Sequence, residues 1–276
     1  MDKKTSENNF WGDDGEGILK AKPAIEHAWA PERFMHLVSD PNNGPQYPMS
    51  DSLHFTCPVN QDVAREWLPD NLPPTDPALA TVFMVDYPRT FFGLSYQEAG
   101  IFLHCMFEDR EHMLTVWMTL NDDTPLILGR EMSGLPKKIA DFEIVLNAVN
   151  PRGKVMRRGY DVLEVVGSNP EPLTDGELWQ LPTLNVLGVP GQEGKLLRGC
   201  ASHRFHEGQK MDFEVTTGIT DFDPLYKLEM PSTVRGEHMI IDAAVPGIAP
   251  RIDLPGGEVG TVSAEWVVAN YPFRCF

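Results

Sequence analysis

Cysteine is scarce in this chain, and its spacing argues against two classes of stabilised domain. Among 276 residues there are four cysteines, Cys57, Cys105, Cys200 and Cys275, and no two of them form a CxxC pair. Disulfide frameworks and zinc ribbons use closely spaced cysteines, so neither is indicated. The pattern favours a reducing cytoplasm, in which each cysteine is a small buried hydrophobic residue.

Basic residues are also few, which bears on the partners of the protein. Lys and Arg total 23 against 40 Asp and Glu, giving a formal net charge of -17. Such a surface repels phosphate backbones and anionic lipid headgroups, so nucleic acid and membranes are poor candidate partners. An anionic substrate would need a local cluster of lysines or hydrogen-bond donors to bind against this field.

Long apolar runs are missing as well. No stretch of about 18 apolar residues occurs that could cross a bilayer. The first twenty residues lack the apolar core of a secretory signal. We therefore predict a soluble protein of the cytoplasm.

Proline and glycine, by contrast, are plentiful and punctuate the whole chain. The 24 prolines and 23 glycines are not collected into a linker, and no internal repeat is present, which favours one domain. Short apolar segments between frequent turns are typical of a sheet-rich fold. The clearest element is a hairpin of strands 101–108 and 113–120 around the turn 109–112. Further predicted strands are 80–87, 126–131, 139–147, 160–166, 183–187, 197–205, 212–217, 238–245 and 261–268.

Helices are predicted at three places only. Asn60 can cap a short helix at 61–67 that Pro69 ends, and a second short helix is predicted at 224–229. A third helical stretch, 23–30, lies in the segment 1–46, which we interpret as an extension that wraps the core. The main domain is then predicted to span 47–276.

Two adjacent lysines, Lys137 and Lys138, follow a proline in the segment 129–140, GREMSGLPKKIA. A lysine amine near its usual pKa of about 10.4 is protonated at neutral pH and cannot attack a carbonyl. Burial among apolar neighbours, or repulsion from a second ammonium, lowers that pKa and frees the lone pair. The amine can then form an imine, which makes decarboxylation, aldol cleavage or dehydration feasible. Paired lysines alone are more often solvated surface charges, so the flanking residues decide between these interpretations.

Those flanking residues resemble the active-site motif of the acetoacetate decarboxylase superfamily, a Gly-Arg-Glu followed by a short variable stretch and Pro-Lys-Lys. Here they stand as Gly129, Arg130 and Glu131, then Pro136 before the two lysines. Upstream, the segment 96–100, Tyr-Gln-Glu-Ala-Gly, is similar to the family's Tyr-x-Glu-x-Gly. With weaker matches in the same order, the resemblance covers roughly residues 50 to 246.

The resemblance implies a fold and a site. Lys137 would be the Schiff-base nucleophile, Lys138 would support it, and Glu98 would move protons at the substrate carbon. The implied fold is mainly β, a single antiparallel, barrel-like domain with a few flanking helices. Members form homo-oligomers, and the implied chemistry needs no metal or organic cofactor.

Two charged residues that the family places at its substrate have no counterpart here. No arginine occurs between residues 33 and 65, and Ser50 or Asp51 falls where one is expected. A second family glutamate is replaced by Phe83, unless a small gap in the alignment brings Asp86 there instead. Because an ion without its partner is costly to bury, we predict a substrate other than acetoacetate.

The expected function is therefore a Schiff-base-forming lyase acting on a small keto acid, by pyruvate-type aldol condensation with dehydration or by hydration. Decarboxylation of acetoacetate or another β-keto acid is the alternative, and a non-catalytic ligand-binding barrel is the alternative of another class. Candidates for substrate binding are Arg89, Tyr96 and Gln97, which lie close to Glu98 in sequence, and Phe83.

Other motifs are set aside. His203 and His206 have an HxxH spacing, but they lie in a predicted strand, where residues three apart point to opposite faces. The segment 188–195, GVPGQEGK, lacks the spacing of a phosphate-binding loop, and no dinucleotide fingerprint follows a strand. We therefore expect neither a metal nor a nucleotide or flavin cofactor.

Overall fold

A computed structural model describes residues 46–146, 148–174, 181–199, 202–244 and 257–275. The strands are β1 (Tyr47–Pro58), β2 (Leu79–Tyr87), β3 (Tyr96–Phe107), β4 (Arg110–Leu120), β5 (Lys137–Ile139), β6 (Asp141–Val145), β7 (Arg152–Arg157), β8 (Tyr160–Pro172), β9 (Thr183–Leu187), β10 (Gly194–Gly199), β11 (Ser202–Thr217), β12 (Thr233–Ala244) and β13 (Gly257–Val262). The helices are α1 (Gln61–Trp67), α2 (Asp123–Ser133) and α3 (Ala264–Cys275), with a 3-10 helix at Leu225–Leu228.

All of these strands belong to one 13-stranded sheet, in the order β13-β10-β9-β4-β3-β2-β1-β12-β11-β8-β7-β6, with β5 paired to β4 off this path. The pairings are antiparallel except those of β4 with β5 and with β9. The predicted fold class, a mainly β domain with a few helices, is confirmed in the form of a large open sheet.

The sheet is apolar on both faces near its centre, because alternate residues of a strand point to opposite sides. One face carries the main core, which includes Leu53, Ile101 and Trp117. The other face carries a smaller cluster with Phe83 and Met118 at its centre. Burial on both sides explains why the central strands alternate only loosely in sequence.

Local signals predicted α1 and its cap well. The side chain of Asn60 accepts hydrogen bonds from the backbone N–H groups of Asp62 and Val63, and α1 has the predicted bounds. The short helix predicted at 224–229 is confirmed by the 3-10 helix. The helical stretch 23–30 lies outside the described residues, so the extension 1–46 and the domain boundary stay predictions.

The strand predicted at 126–131 is wrong, because this segment lies in α2. Asp122 accepts a hydrogen bond from the backbone N–H of Thr124 at the start, and Gly134 adopts a left-handed conformation with φ 67° at the end. The apolar residues between them are spread around the helix, which leaves Ile127 48% exposed. A short apolar run has no periodicity that separates a helix from a strand, and here the two caps decided.

Four other strand predictions needed correction. The segment 261–268 is strand only to Val262, since Ser263 caps α3 by accepting from the backbone N–H of Trp266. The segment 139–147 is divided at Ala140, because β5 pairs with β4 whereas β6 pairs with β7. The strand predicted at 197–205 begins within β10, which ends at Gly199, and the one predicted at 212–217 is the end of β11. Two strands, β1 and β7, were not predicted.

No helix in the described part of the chain is both long enough and apolar enough to span a membrane.

Candidate active site

The lysine motif forms a turn from a helix into a strand. Helix α2 ends at Gly134, where the left-handed backbone turns the chain, and the N–H of Leu135 donates to the carbonyl of Gly129. Three residues later β5 runs parallel to β4, with Lys137 in register with Met118 and Lys138 in register with Thr119. Because neighbouring residues of a strand point to opposite faces, the two lysines enter different sides of the sheet.

Lys137 meets Glu98 on the face of the smaller apolar cluster. Its Nζ lies 2.6 Å from Glu98 Oε2, and each residue is only 5% exposed. Glu98 belongs to β3, where it is in register with Leu120 of β4. Strand β4 therefore lies between the strand of Glu98 and β5, which carries Lys137. A charge at this depth is costly unless it is paired, so each group depends on the other. The ring of Tyr96 lies 5.7 Å from the same Nζ.

Lys138 lies in a separate buried cluster on the opposite face. Its Nζ donates to Asp223 Oδ1 at 2.5 Å and to the carbonyl of Phe273 at 2.9 Å. Asp223 also accepts from Trp117 Nε1 at 2.8 Å and lies 3.4 Å from an Arg157 nitrogen. Desolvation lowers the pKa of Lys138 to about 8, against the opposing pull of Asp223.

Glycine at two positions makes room for this arrangement. A Cβ on Gly129 would lie 2.6 Å from Lys137 Cδ and 2.7 Å from its Cε, so the stem of the lysine runs directly over the helix backbone. A Cβ on Gly100 would lie 2.4 Å from Cε1 of Phe83. The glycines of both motifs therefore permit close packing around the Lys137–Glu98 pair.

Aromatic side chains surround one side of the pair. The rings of Tyr47 and Tyr96 each lie with their centroids 4.8 Å from that of Tyr87, and the side chains of Tyr47 and Tyr96 are hydrogen-bonded to each other. Phe92 stacks on Tyr96 at 6.3 Å. Burial first, and then the Glu98 carboxylate, raise the pKa of all three tyrosines, so their hydroxyls stay neutral.

The structure separates the candidate substrate-binding residues. Tyr96 and Phe83 lie on the face of Glu98, since Phe83 is in register with Gly100. Gln97 lies on the other face of β3, and its side chain is hydrogen-bonded to Asp86. Arg89 is exposed beyond the end of β2.

The alternation of the strands shows which of the alternatively aligned residues share the face of Glu98. Phe83, and not Asp86, shares the face of Glu98, because Asp86 is in register with Gln97. On β1, Ser52 is in register with Val85 and points to this face, as does the fully buried Ser50. Asp51 points to the other side, where its carboxylate lies 2.6 Å from His238 Nε2.

Several participants were missed from sequence. Asp223 precedes a proline and has the sequence context of a turn residue, and Tyr47 stands at the edge of the predicted extension. Neither position carries a signal that indicates its partners. The set-aside His206 lies 3.0 Å from Asp242, and the described residues contain no group of three or more His, Cys, Asp or Glu that could hold a metal.

Comparison by sequence identifies relatives. A family model described as acetoacetate decarboxylase (ADC) matches residues 36–253. An acetoacetate decarboxylase of Burkholderia cenocepacia (strain HI2424) is 31% identical over 114 residues, which are 39% of this chain and 46% of that protein. The match therefore spans about half of the length of that relative.

Comparison by structure identifies the same fold. The acetoacetate decarboxylase of Legionella pneumophila superposes with a TM-score of 0.68 at 17% identity, covering 79% of this chain and 88% of that chain. The enduracididine biosynthesis enzyme MppR complexed with pyruvate superposes with a TM-score of 0.60 at 18% identity, covering 71% and 86%. MppR is also known in complex with the condensation product of pyruvate and imidazole 4-carboxaldehyde. At such identities the likeness shows a shared fold alone.

Proposed function

The chain belongs to the acetoacetate decarboxylase family, and from that premise we propose that it is a lyase that acts on a small keto acid through an imine on Lys137. One observation carries the proposal: the buried contact of 2.6 Å between Lys137 Nζ and Glu98 Oε2. An amine held against a carboxylate in a desolvated site can transfer its proton to that carboxylate and become a nucleophile.

The pair can supply both proton transfers that imine formation requires. The neutral amine of Lys137 attacks the keto carbon, and the carbonyl oxygen takes up the proton that the attacking nitrogen, now positively charged, gives up. Glu98, now protonated, can return that proton to the hydroxyl group as it leaves as water. The resulting protonated imine withdraws electrons from the adjacent carbon. Glu98 is then a carboxylate again, and it can remove a proton from that carbon to give an enamine.

We propose pyruvate-type aldol condensation with dehydration, or hydration of an unsaturated keto acid, as the overall reaction. An enamine is a carbon nucleophile, and the neutral hydroxyls of Tyr47 and Tyr96 are donors for a carbonyl or carboxylate oxygen. Ser50 and Ser52 provide neutral polar groups on the β1 side of the same face. The complex of MppR with a pyruvate condensation product is a precedent for such chemistry in this fold.

Decarboxylation of acetoacetate or another β-keto acid is the second candidate, favoured by the similarity to the acetoacetate decarboxylase of Burkholderia cenocepacia. The same imine would accept the electrons of the breaking carbon–carboxylate bond. Enzyme-dependent release of carbon dioxide from acetoacetate would favour this candidate over condensation.

Borohydride trapping tests the proposal directly. The protein is incubated with pyruvate or, separately, with acetoacetate, reduced, and analysed by intact and peptide mass spectrometry. We expect a ketone-dependent adduct on Lys137 that Lys137→Ala abolishes. Lys195→Ala is the matched control, because Lys195 is an exposed lysine 2.8 Å from Glu258. Lack of an adduct with either ketone, together with ligand affinity that survives Lys137→Ala, would instead support a non-catalytic barrel.

A further inference from the structure

We propose that helix α3 positions Lys137 for imine formation, with Arg130 and Arg274 as the positioning residues. The role in imine formation rests on the function proposed for Lys137. We call the hydrogen bonds that Arg130 and Arg274 make between α3 and the segment of Lys137 the clamp. The clamp can be tested without turnover, because it is defined by geometry alone.

The strand that carries Lys137 has little support of its own. β5 is three residues long, and among the described strands it pairs with β4 alone. One short parallel ladder holds its backbone on one side only. The other side needs a different set of hydrogen bonds, because buried carbonyl groups are costly to leave without donors.

Arg130 supplies one of these bonds and ties it to α3. Its Nη1 donates to the carbonyl of Lys137 at 2.9 Å and to the carbonyl of Arg274 at 3.0 Å. The guanidinium of Arg130 thus bridges the backbone of the reactive lysine and the last turn of α3.

Arg274 makes the reciprocal connection. Its Nη2 donates to the carbonyls of Gly134 at 2.8 Å and Val186 at 2.7 Å. Gly134 is the turn between α2 and β5, and Val186 belongs to β9, the other strand that runs parallel to β4. The turn that aims Lys137 is therefore fastened to a neighbouring strand through one side chain of α3.

A third bond comes from Lys138, whose Nζ donates to the carbonyl of Phe273 at 2.9 Å. The last four carbonyls of a helix have no partner within it and carry partial negative charge. The carbonyls of Phe273 and Arg274 are two of these, and they accept from Lys138 and Arg130 respectively. The carboxyl end of α3 thus accepts hydrogen bonds from two cationic side chains of the lysine motif, Arg130 and Lys138.

This arrangement controls a distance that matters for chemistry. Lys137 and Glu98 exchange a proton across 2.6 Å, and a misplacement of about 1 Å at a reacting group can lower the rate by about 100-fold. Loss of the Arg274 bonds frees the turn at Gly134, while the distant strands of the sheet stay paired.

Arg274→Met tests the proposal, because methionine keeps an unbranched apolar stem and removes the guanidinium that donates both hydrogen bonds. With the ketone that is turned over, we expect kcat to fall by about tenfold or more and KM to change by less than about twofold. We also expect faster amide hydrogen exchange in residues 134–139, and faster acetylation of Lys137 relative to Lys195, measured by peptide mass spectrometry. Arg65→Met, at an exposed arginine 3.2 Å from Asp62, is the matched control and should change none of these.

The exchange and acetylation measurements need no substrate, so they distinguish failure of the clamp from failure of the proposed function. Wild-type exchange in 134–139 and wild-type acetylation of Lys137 in Arg274→Met would overturn the proposal, whether or not any ketone is turned over. If Arg274→Met does not fold, Arg274→Lys, which keeps the charge and one donor, is compared in the same way. The exchange and acetylation rates of Arg274→Lys should lie between those of wild type and the faster rates expected when the clamp is lost. Wild-type rates in Arg274→Lys would also overturn the proposal.

Discussion

Substituting Gly129 by alanine should impair catalysis much more than it impairs folding. In the interior of a helix alanine is favoured over glycine by about 1 kcal/mol, while overpacking a buried site costs about 1–3 kcal/mol. These terms oppose each other, so we expect the free energy of unfolding to fall by about 0–2 kcal/mol. The new methyl group nevertheless occupies the path of the Lys137 stem.

The stem of Lys137 would have to move by a definite distance. The added Cβ would lie 2.6 Å from Lys137 Cδ, so the stem must move by at least about 0.8 Å to reach an ordinary contact of 3.4 Å. The lysine is the flexible partner, and its movement disturbs the contact of 2.6 Å with Glu98. A shift of this size corresponds to a loss of rate of about 100-fold.

The assay is the rate at which borohydride traps the ketone adduct on Lys137, measured beside thermal unfolding. The control is Gly260→Ala, because the atoms nearest to a Cβ at Gly260 lie at 3.8 Å. We expect the control to trap at the wild-type rate. Wild-type trapping in Gly129→Ala would refute the conclusion that this glycine exists to admit the lysine.

Three further predictions follow from the two buried ion pairs. Glu98→Gln keeps the shape of the side chain but removes the proton acceptor of Lys137, and should lower turnover by about 100-fold or more, measured under saturating ketone. Asp223→Asn leaves Lys138 and Arg157 without their carboxylate and should lower the free energy of unfolding in urea by about 3–5 kcal/mol. Since the pKa of Lys138 is lowered from 10.5 to about 8, the unfolded chain binds more protons between these values. The stability of wild type relative to Lys138→Met should therefore rise with pH across that window, by up to about 1 kcal/mol per pH unit.

Surface variants are the controls for these predictions. Asp161→Asn, at an exposed carboxylate 3.0 Å from Lys154, should change the free energy of unfolding by less than about 1 kcal/mol. An equal effect of Asp161→Asn and Asp223→Asn would contradict the importance given to burial. A wild-type turnover in Glu98→Gln would remove Glu98 from the proton transfers, and a flat or falling stability difference between pH 8 and 10.5 would contradict the desolvation of Lys138.

Features that depend on neighbours in the chain could be read from the sequence. The cap at Asn60, the hairpin that became β3 and β4, and the glycine–proline spacing around Lys137 are all local, because a few dihedral angles and one or two backbone hydrogen bonds decide them. The resemblance of two motifs to the family also predicted Glu98 as the companion of Lys137. The two are 39 positions apart and come together through the pairing of β3, β4 and β5.

The segment 126–131 marks the limit of that approach. Three consecutive apolar residues fit a buried strand as well as a helix, and only the caps at Asp122 and Gly134 separate the two. The same is true beyond Val262, where Ser263 turns a strand into a helix.

The order of residues was enough to identify the reactive groups and their local context: an amine that follows a glycine and a proline, and a carboxylate just before a predicted strand. Which partners those groups meet depends on the tertiary structure. A three-residue strand points Lys137 and Lys138 to opposite faces, so one pairs with Glu98 and the other with Asp223, 85 positions away. The local backbone sets the direction of a side chain, but the residue that it contacts lies on a strand or helix from a distant part of the chain.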